Sequence, residues 1–73
     1  MNLCNRLREM RLNTGLTQER LADKVGVTRQ TIIAVEKGKF VPSVKLALEL
    51  AFALNTSLEN VFWLESSHDG GNS

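Results

Sequence analysis

One cysteine, one proline, one histidine and no tyrosine occur in the chain. A lone cysteine, Cys4, closes no intramolecular disulfide, so 73 residues without staples must rest on close helix packing or on a partner subunit. Cys4 itself reads as an apolar filler of a first helix, since a redox sensor would want a neighbouring base or a resolving thiol. No pair of Cys, His, Asp and Glu stands at a metal-ligand spacing, and no glycine-rich loop follows a strand. No metal, no cofactor and no small-molecule ligand is implied, and the expectation is a binding protein, not an enzyme. No apolar run approaches the length of a membrane span, and residues 1–11 are interrupted by Arg6, Arg8, Glu9 and Arg11. The expected setting is therefore the reducing cytoplasm, with neither signal peptide nor anchor. A hydrophobic content of 42% suits a single core and is too little for two.

Net charge is also low, at +1, which on its face argues against a polyanionic partner. The sum hides a division. All nine Lys and Arg lie in residues 1–45 against four acids, a balance of +5, whereas residues 46–73 carry four acids and no base. Such asymmetry points toward nucleic acid or an acidic tail.

What is present reads as a string of capped helices. Leu3, Leu7, Met10 and Leu12 recur at helical steps among charges, giving an amphipathic first helix that stops near Gly15. Thr17 offers an N-cap to a second helix over residues 18–25, with Leu16 and Leu21 as a hydrophobic staple, and Gly26 ends it. Thr28, flanked by Val27 and Ile32, opens a third helix over residues 29–37 that Gly38 stops. Pro42 makes residues 39–42 a loop, and Ser43 caps a fourth helix over residues 44–54, apolar almost all the way round. Asn55 suits a left-handed stop, and Ser57 opens a short fifth helix over residues 58–62. Residues 66–73, small and polar with Gly70-Gly71, are expected to be a disordered tail to a domain of residues 1–65. Strand signal is absent apart from the apolar stretch Phe62-Trp63-Leu64.

The second and third helices carry the most information. Ala22 is small where they would cross, Gly26 frees the turn, and Leu21, Val25, Val27, Ile32 and Val35 supply a shared seam. With that seam buried, Arg29, Gln30, Ile33 and Lys37 face outward.

The runs Leu16-Thr17-Gln18-Glu19-Arg20-Leu21-Ala22 and Val25-Gly26-Val27-Thr28-Arg29-Gln30-Thr31-Ile32 resemble the lambda repressor and Cro-like helix-turn-helix DNA-binding domains, also called the xenobiotic-response-element family. Glu36-Lys37-Gly38-Lys39, Pro42-Ser43 and Leu50-Ala51 continue the likeness. The resemblance implies an all-α, five-helix lambda repressor-like fold and a sequence-specific double-stranded DNA-binding transcriptional regulator, a repressor, with its third helix in the major groove. It further implies that Arg29, Gln30 and Ile33 are base-reading positions. Arginine suits the two acceptors of guanine, glutamine the donor and acceptor of adenine, and isoleucine only a thymine methyl or the sugar edge. Gln18, Thr28, Thr31, Lys37 and Lys39 are placed like backbone contacts, which position without reading sequence, and Gln18 also resembles the glutamine that braces the third helix. Arg11 and Glu36 resemble a pair tying the first helix to the third.

Plainer readings stand beside these. Thr28 is first of all an N-cap, Lys37 and Lys39 favour a helix C-terminus whether or not DNA is bound, and Arg6 and Arg8 suit a solvated face. A single helix-turn-helix unit offers few contacts, so a homodimer on a palindromic operator is implied. Leu48, Phe52, Phe62, Trp63 and Leu64 are the expected dimer interface, with Trp63-Leu64-Glu65 extending toward a symmetry mate. Phe62 and Trp63 could equally close the monomer's own core. The alternative function is a small helical interaction module, such as an antitoxin, for which DNA is secondary. A pure adaptor, however, has no reason to keep Arg29, Gln30 and Lys37 beside Gln18.

Overall fold

Three hydroxyls set where helices begin. In the computed structural model, which describes residues 1–66, Thr17 accepts from the Arg20 amide, Thr28 from that of Thr31 and Ser43 from that of Leu46. Each bond satisfies a donor that the first turn of a helix cannot pair internally. The helices so opened are α2 (Gln18–Val25), α3 (Arg29–Glu36) and α4 (Val44–Ala53), preceded by α1 (Leu7–Asn13) and followed by α5 (Leu58–Val61). Gly26 and Asn55 take left-handed backbone at φ 73° and 57°, the conformation that stops a helix and turns the chain. Ser57 holds the cap position of α5, but its side chain makes no cap bond.

The first helix differs from its sequence reading. Residues 2–5 are not its first turn but a strand, β1 (Asn2–Asn5), antiparallel to β2 (Phe62–Glu65), with Asn2 opposite Glu65 and Asn5 opposite Phe62. The switch from strand to helix is made by Asn5, whose Oδ1 accepts the Leu7 amide at 3.0 Å while its Nδ2 donates to the Val35 carbonyl at 3.0 Å. Five helices thus stand as expected, and a small sheet joins them. Cys4 accordingly sits in β1, half-buried, and not in a helix. Partial burial and then the Glu65 carboxylate push its thiol above the ordinary range, the opposite of what a reactive thiolate needs.

The core is built from every helix. Leu7, Leu21, Ile32, Val35, Leu50 and Val61 are essentially inaccessible, each contributing up to about 1.5–3 kcal/mol from burial. The all-apolar α4 buries Leu46, Ala47, Leu50 and Ala51, but its other side leaves Leu48 and Phe52 51% and 85% exposed. Phe62 is 7% exposed and belongs to the core, which corrects its assignment to an outer contact face. Trp63 is half-buried, with the Arg6 guanidinium carbon 4.7 Å from its ring centroid. Trp63 to Glu65 pair with the chain's own β1. Among the described residues no helix is long and apolar enough to cross a membrane. The expected tail, apart from Ser66, lies outside the described residues.

Candidate nucleic-acid interface

The geometry around α3 is set by a short turn. The Val27 amide donates to the Ala22 carbonyl at 3.0 Å, and the Gly26 amide to the same oxygen, so α2 ends in a left-handed turn and α3 begins after only three linking residues. Ala22, 2% exposed, is small enough to let the helices cross closely. Ile32 and Val35 then face the core, which fixes the rotation of α3 and turns Gln30 and Lys37 directly outward.

Arg29, Gln30, Lys37 and Lys39 are all exposed, whereas Thr31 and Ile33 are half-buried at the edges of the face. Thr28 is exposed, and its hydroxyl already serves as the cap, lying 3.2 Å from the Thr31 hydroxyl. Sequence reasoning passed over Ala34. It stands four residues after Gln30 on the same outward face, a spacing that was legible, and its methyl lets the helix backbone approach a surface closely. The only acid between residues 28 and 45 is Glu36, so the charge this stretch shows outward is positive.

Glu36 itself is taken up inside. Arg11 Nε donates to Glu36 Oε2 at 2.7 Å, Arg11 Nη1 donates to the Leu16 carbonyl at 2.9 Å, and the two charged side chains are 8% and 5% exposed. Arg11 and Glu36 are therefore brought together as the resemblance implied. A third member joins them and ties α2 to α3, as the resemblance implied of Gln18: its Nε2 donates to Glu36 Oε1 at 3.1 Å. One carboxylate thus joins α1, α2 and α3, and holds the Gln18 amide in one orientation with its second N–H still to give.

That amide borders a cleft of about 390 Å³ lined by Arg11, Thr17, Gln18, Glu19 and Arg29. The start of α2, Gln18 and Arg29 border it together with the acidic Glu19. Unpaired backbone donors, a neutral donor and a cation there suit an anionic oxygen such as that of a phosphate, provided the exposed Glu19 turns away. A second cleft of about 620 Å³ lies between the end of α2, α4 and α5, with Leu48, Ala51, Phe52 and Leu58 on its walls.

A helix-turn-helix family model matches residues 7–61. The chain is 48% identical over 64 residues to the helix-turn-helix-type transcriptional regulator YgzD of Bacillus subtilis, covering 88% of this chain and 97% of that one. It is 55% identical over 60 residues to a helix-turn-helix-type transcriptional regulator of Methanothermobacter thermautotrophicus, covering 81% and 87%. Among solved structures, the restriction-modification controller protein C.AhdI from Aeromonas hydrophila superposes with a TM-score of 0.72 at 40% identity, over 75% of this chain and 80% of that one. The clp gene regulator ClgR from Corynebacterium glutamicum does so with a TM-score of 0.71 at 28% identity, over 74% and 57%.

Proposed function

Since the chain belongs to the Cro/C1-type helix-turn-helix family of DNA-binding transcriptional regulators, we propose that it binds one operator sequence as a cytoplasmic homodimer, with α3 of each protomer in the major groove, and acts as a repressor. Its work on this reading is binding, not catalysis. The observation that carries the proposal is the outward face of α3. The side chains of Arg29, Gln30 and Lys37 are exposed there and enter neither the core nor the ion pairs, although the Lys37 backbone closes α3.

The roles divide by chemistry. Arg29 and Gln30, in the first turn, reach base edges; Ile33 and Ala34 offer only apolar contact, which favours a thymine methyl. Gln18, Thr28, Thr31, Lys37 and Lys39 address phosphates and fix the register. The apolar side of α4, with Leu48 and Phe52, and Leu64 of β2 join the two protomers. A dimer then sets its two copies of α3 about 34 Å apart on successive major grooves.

Selection of bound sites from random double-stranded DNA tests the whole reading. The expected product is an inverted repeat whose half-site centres lie about 10 base pairs apart; a folded protein that enriches no motif would sink it. Within that motif, Gln30→Ala and Arg29→Ala should each lower specific binding by about 1–3 kcal/mol and relax preference at one base pair per half-site, with melting unchanged. Identical selected motifs for wild type and both variants would remove the base-reading assignment. Lys39→Ala should weaken binding to all DNA alike and flatten the dependence of log K on log salt by about one unit for each phosphate that Lys39 neutralises. An unchanged slope would leave Lys39 as no more than a cation at the end of a helix.

A further inference from the structure

Among the described residues, side chains from three other elements are bonded to α3. Arg11 of α1 and Gln18 of α2 both end on the Glu36 carboxylate, whereas Asn5 of β1 reaches the helix backbone, its Nδ2 donating to the Val35 carbonyl at 3.0 Å. A carboxylate is joined to its helix through rotatable bonds, and a backbone carbonyl is not. Asn5 therefore holds the helix itself. The carbonyl it takes is also the one that accepts the Gly38 amide at 3.0 Å, so both of its lone pairs are used where the chain leaves α3 between Lys37 and Lys39.

Asn5 is itself fixed in place. It stands opposite the buried Phe62 in the sheet, the next amide, that of Arg6, donates to the Val61 carbonyl at 2.9 Å, and its Oδ1 accepts the Leu7 amide. Opening α1 needs only an acceptor, which aspartate or serine supplies as well; the short side chain with an acceptor on one atom and a donor on another is that of asparagine. The donor is what α3 receives. The other end of α3 is held by its three-residue link to α2. Eight residues rise about 12 Å, so a tilt of about 5° about the first turn would move the last by roughly 1 Å, beyond the ~0.5 Å within which a binding constellation must be held.

We propose that Asn5 is a positioning residue for DNA recognition: through the Val35 carbonyl it holds α3 at the tilt that lets Arg29 and Gln30 meet base edges while Lys37 and Lys39 meet phosphates. The inference rests on the reading of α3 as the DNA-contacting helix, and holds whichever way that helix lies in the groove. Charge-driven contact with phosphates tolerates a tilted helix, and a bidentate bond to a base edge does not. Loss of Asn5 thus costs discrimination before it costs binding.

N5S and N5D each keep an acceptor for the Leu7 amide and lose the donor to Val35. Titration of both against the site selected from random DNA, and against a scrambled duplex of equal length at the same salt, should show the ratio of the two affinities falling about five- to tenfold. N5D should be at least as impaired as N5S, because its carboxylate faces the Val35 carbonyl, and its added charge cancels in the ratio. Amide hydrogen exchange in the free variants should be faster at Lys37, Gly38 and Lys39 and unchanged at Leu7. N5D that discriminates as well as wild type would overturn the proposal, leaving Asn5 as the residue that opens α1, a task aspartate performs equally. Faster exchange without lost discrimination would overturn it too, and so would unfolding of both variants, which would assign Asn5 to the fold alone. A wild type that selects no site is a separate result: it removes the DNA reading of α3 and leaves the exchange result standing.

Discussion

Glu36→Ala should lower the unfolding free energy by about 3–5 kcal/mol, a large share of the roughly 5–15 kcal/mol that holds a small domain together. The deleted carboxylate is the acceptor for Arg11 Nε, and the guanidinium left behind would keep only the Leu16 carbonyl. With its side chain 8% exposed, Arg11 is not solvated in place of that carboxylate. The effect thus reflects an uncompensated buried charge more than the worth of the pair. Replacing both members, Arg11→Met with Glu36→Leu, should therefore recover most of the stability. Urea unfolding followed through Trp63, the single tryptophan, measures both, at one fixed protein concentration because association stabilises the folded state. A destabilisation below about 1 kcal/mol for Glu36→Ala would put the pair in the class of exposed surface bridges. Gln18 is deprived of its acceptor in the same variant. The phosphate contact proposed for it should weaken even where enough folded protein remains to bind DNA.

Phe52→Glu should convert the protein to monomer and lower operator affinity on the order of a thousandfold, toward the level of non-specific binding. Phe52 is 85% exposed, with Leu48 at 51% on the same side of α4, and Leu64 of β2 is 60% exposed. A side chain so placed adds almost nothing to a lone protomer, and a carboxylate there costs the fold little. In a symmetric contact the same substitution buries two like charges near the axis, which no rearrangement of one protomer relieves. Beside Phe52 lies the 620 Å³ cleft bounded by Leu48, Ala51 and Leu58, with room for an aromatic side chain of a second copy. Sedimentation equilibrium and operator titration read the two consequences separately. A variant that stays dimeric, or a wild type already monomeric at high concentration, would remove α4 from the subunit contact. Trp63 is a poorer probe of the same contact, because its ring is half-covered by Arg6 within its own protomer.

Punctuation explains how much of this was legible in the sequence. The bounds of α2 came out to the residue because Thr17 and Gly26 act locally. The hydroxyl meets an amide three residues on, and the glycine turns the chain where it stands. The start of α3 followed for the same reason from Thr28. The sheet was missed because its cause is distant. Leu3 and Leu7 are four apart, a helical step, and nothing near Leu3 signals that its partner in register is Leu64. Asn5 held the one local clue, since an asparagine two residues before a helix satisfies that helix's first amide. Phe62 shows another limit: an apolar residue near a short helix reads alike whether its cover comes from its own chain or from another. In the site, outward positions on α3 followed from periodicity alone. The bond from Gln18 to Glu36 joins residues eighteen apart; the resemblance implied that Gln18 braces α3, but no periodicity names Glu36 as its acceptor.

The pairing of β1 with β2 has a consequence in time. In chain order, residues 2–5 are made before all the helices and remain without a partner until residues 62–65 have been made, whereas α2 and α3 are separated by only three residues. The contact between α2 and α3 can therefore form while the sheet is still open. The sheet is the fold's closing clasp, and a nascent chain stalled before residue 62 would carry an assembled helix pair with a strand edge still exposed to any passing neighbour.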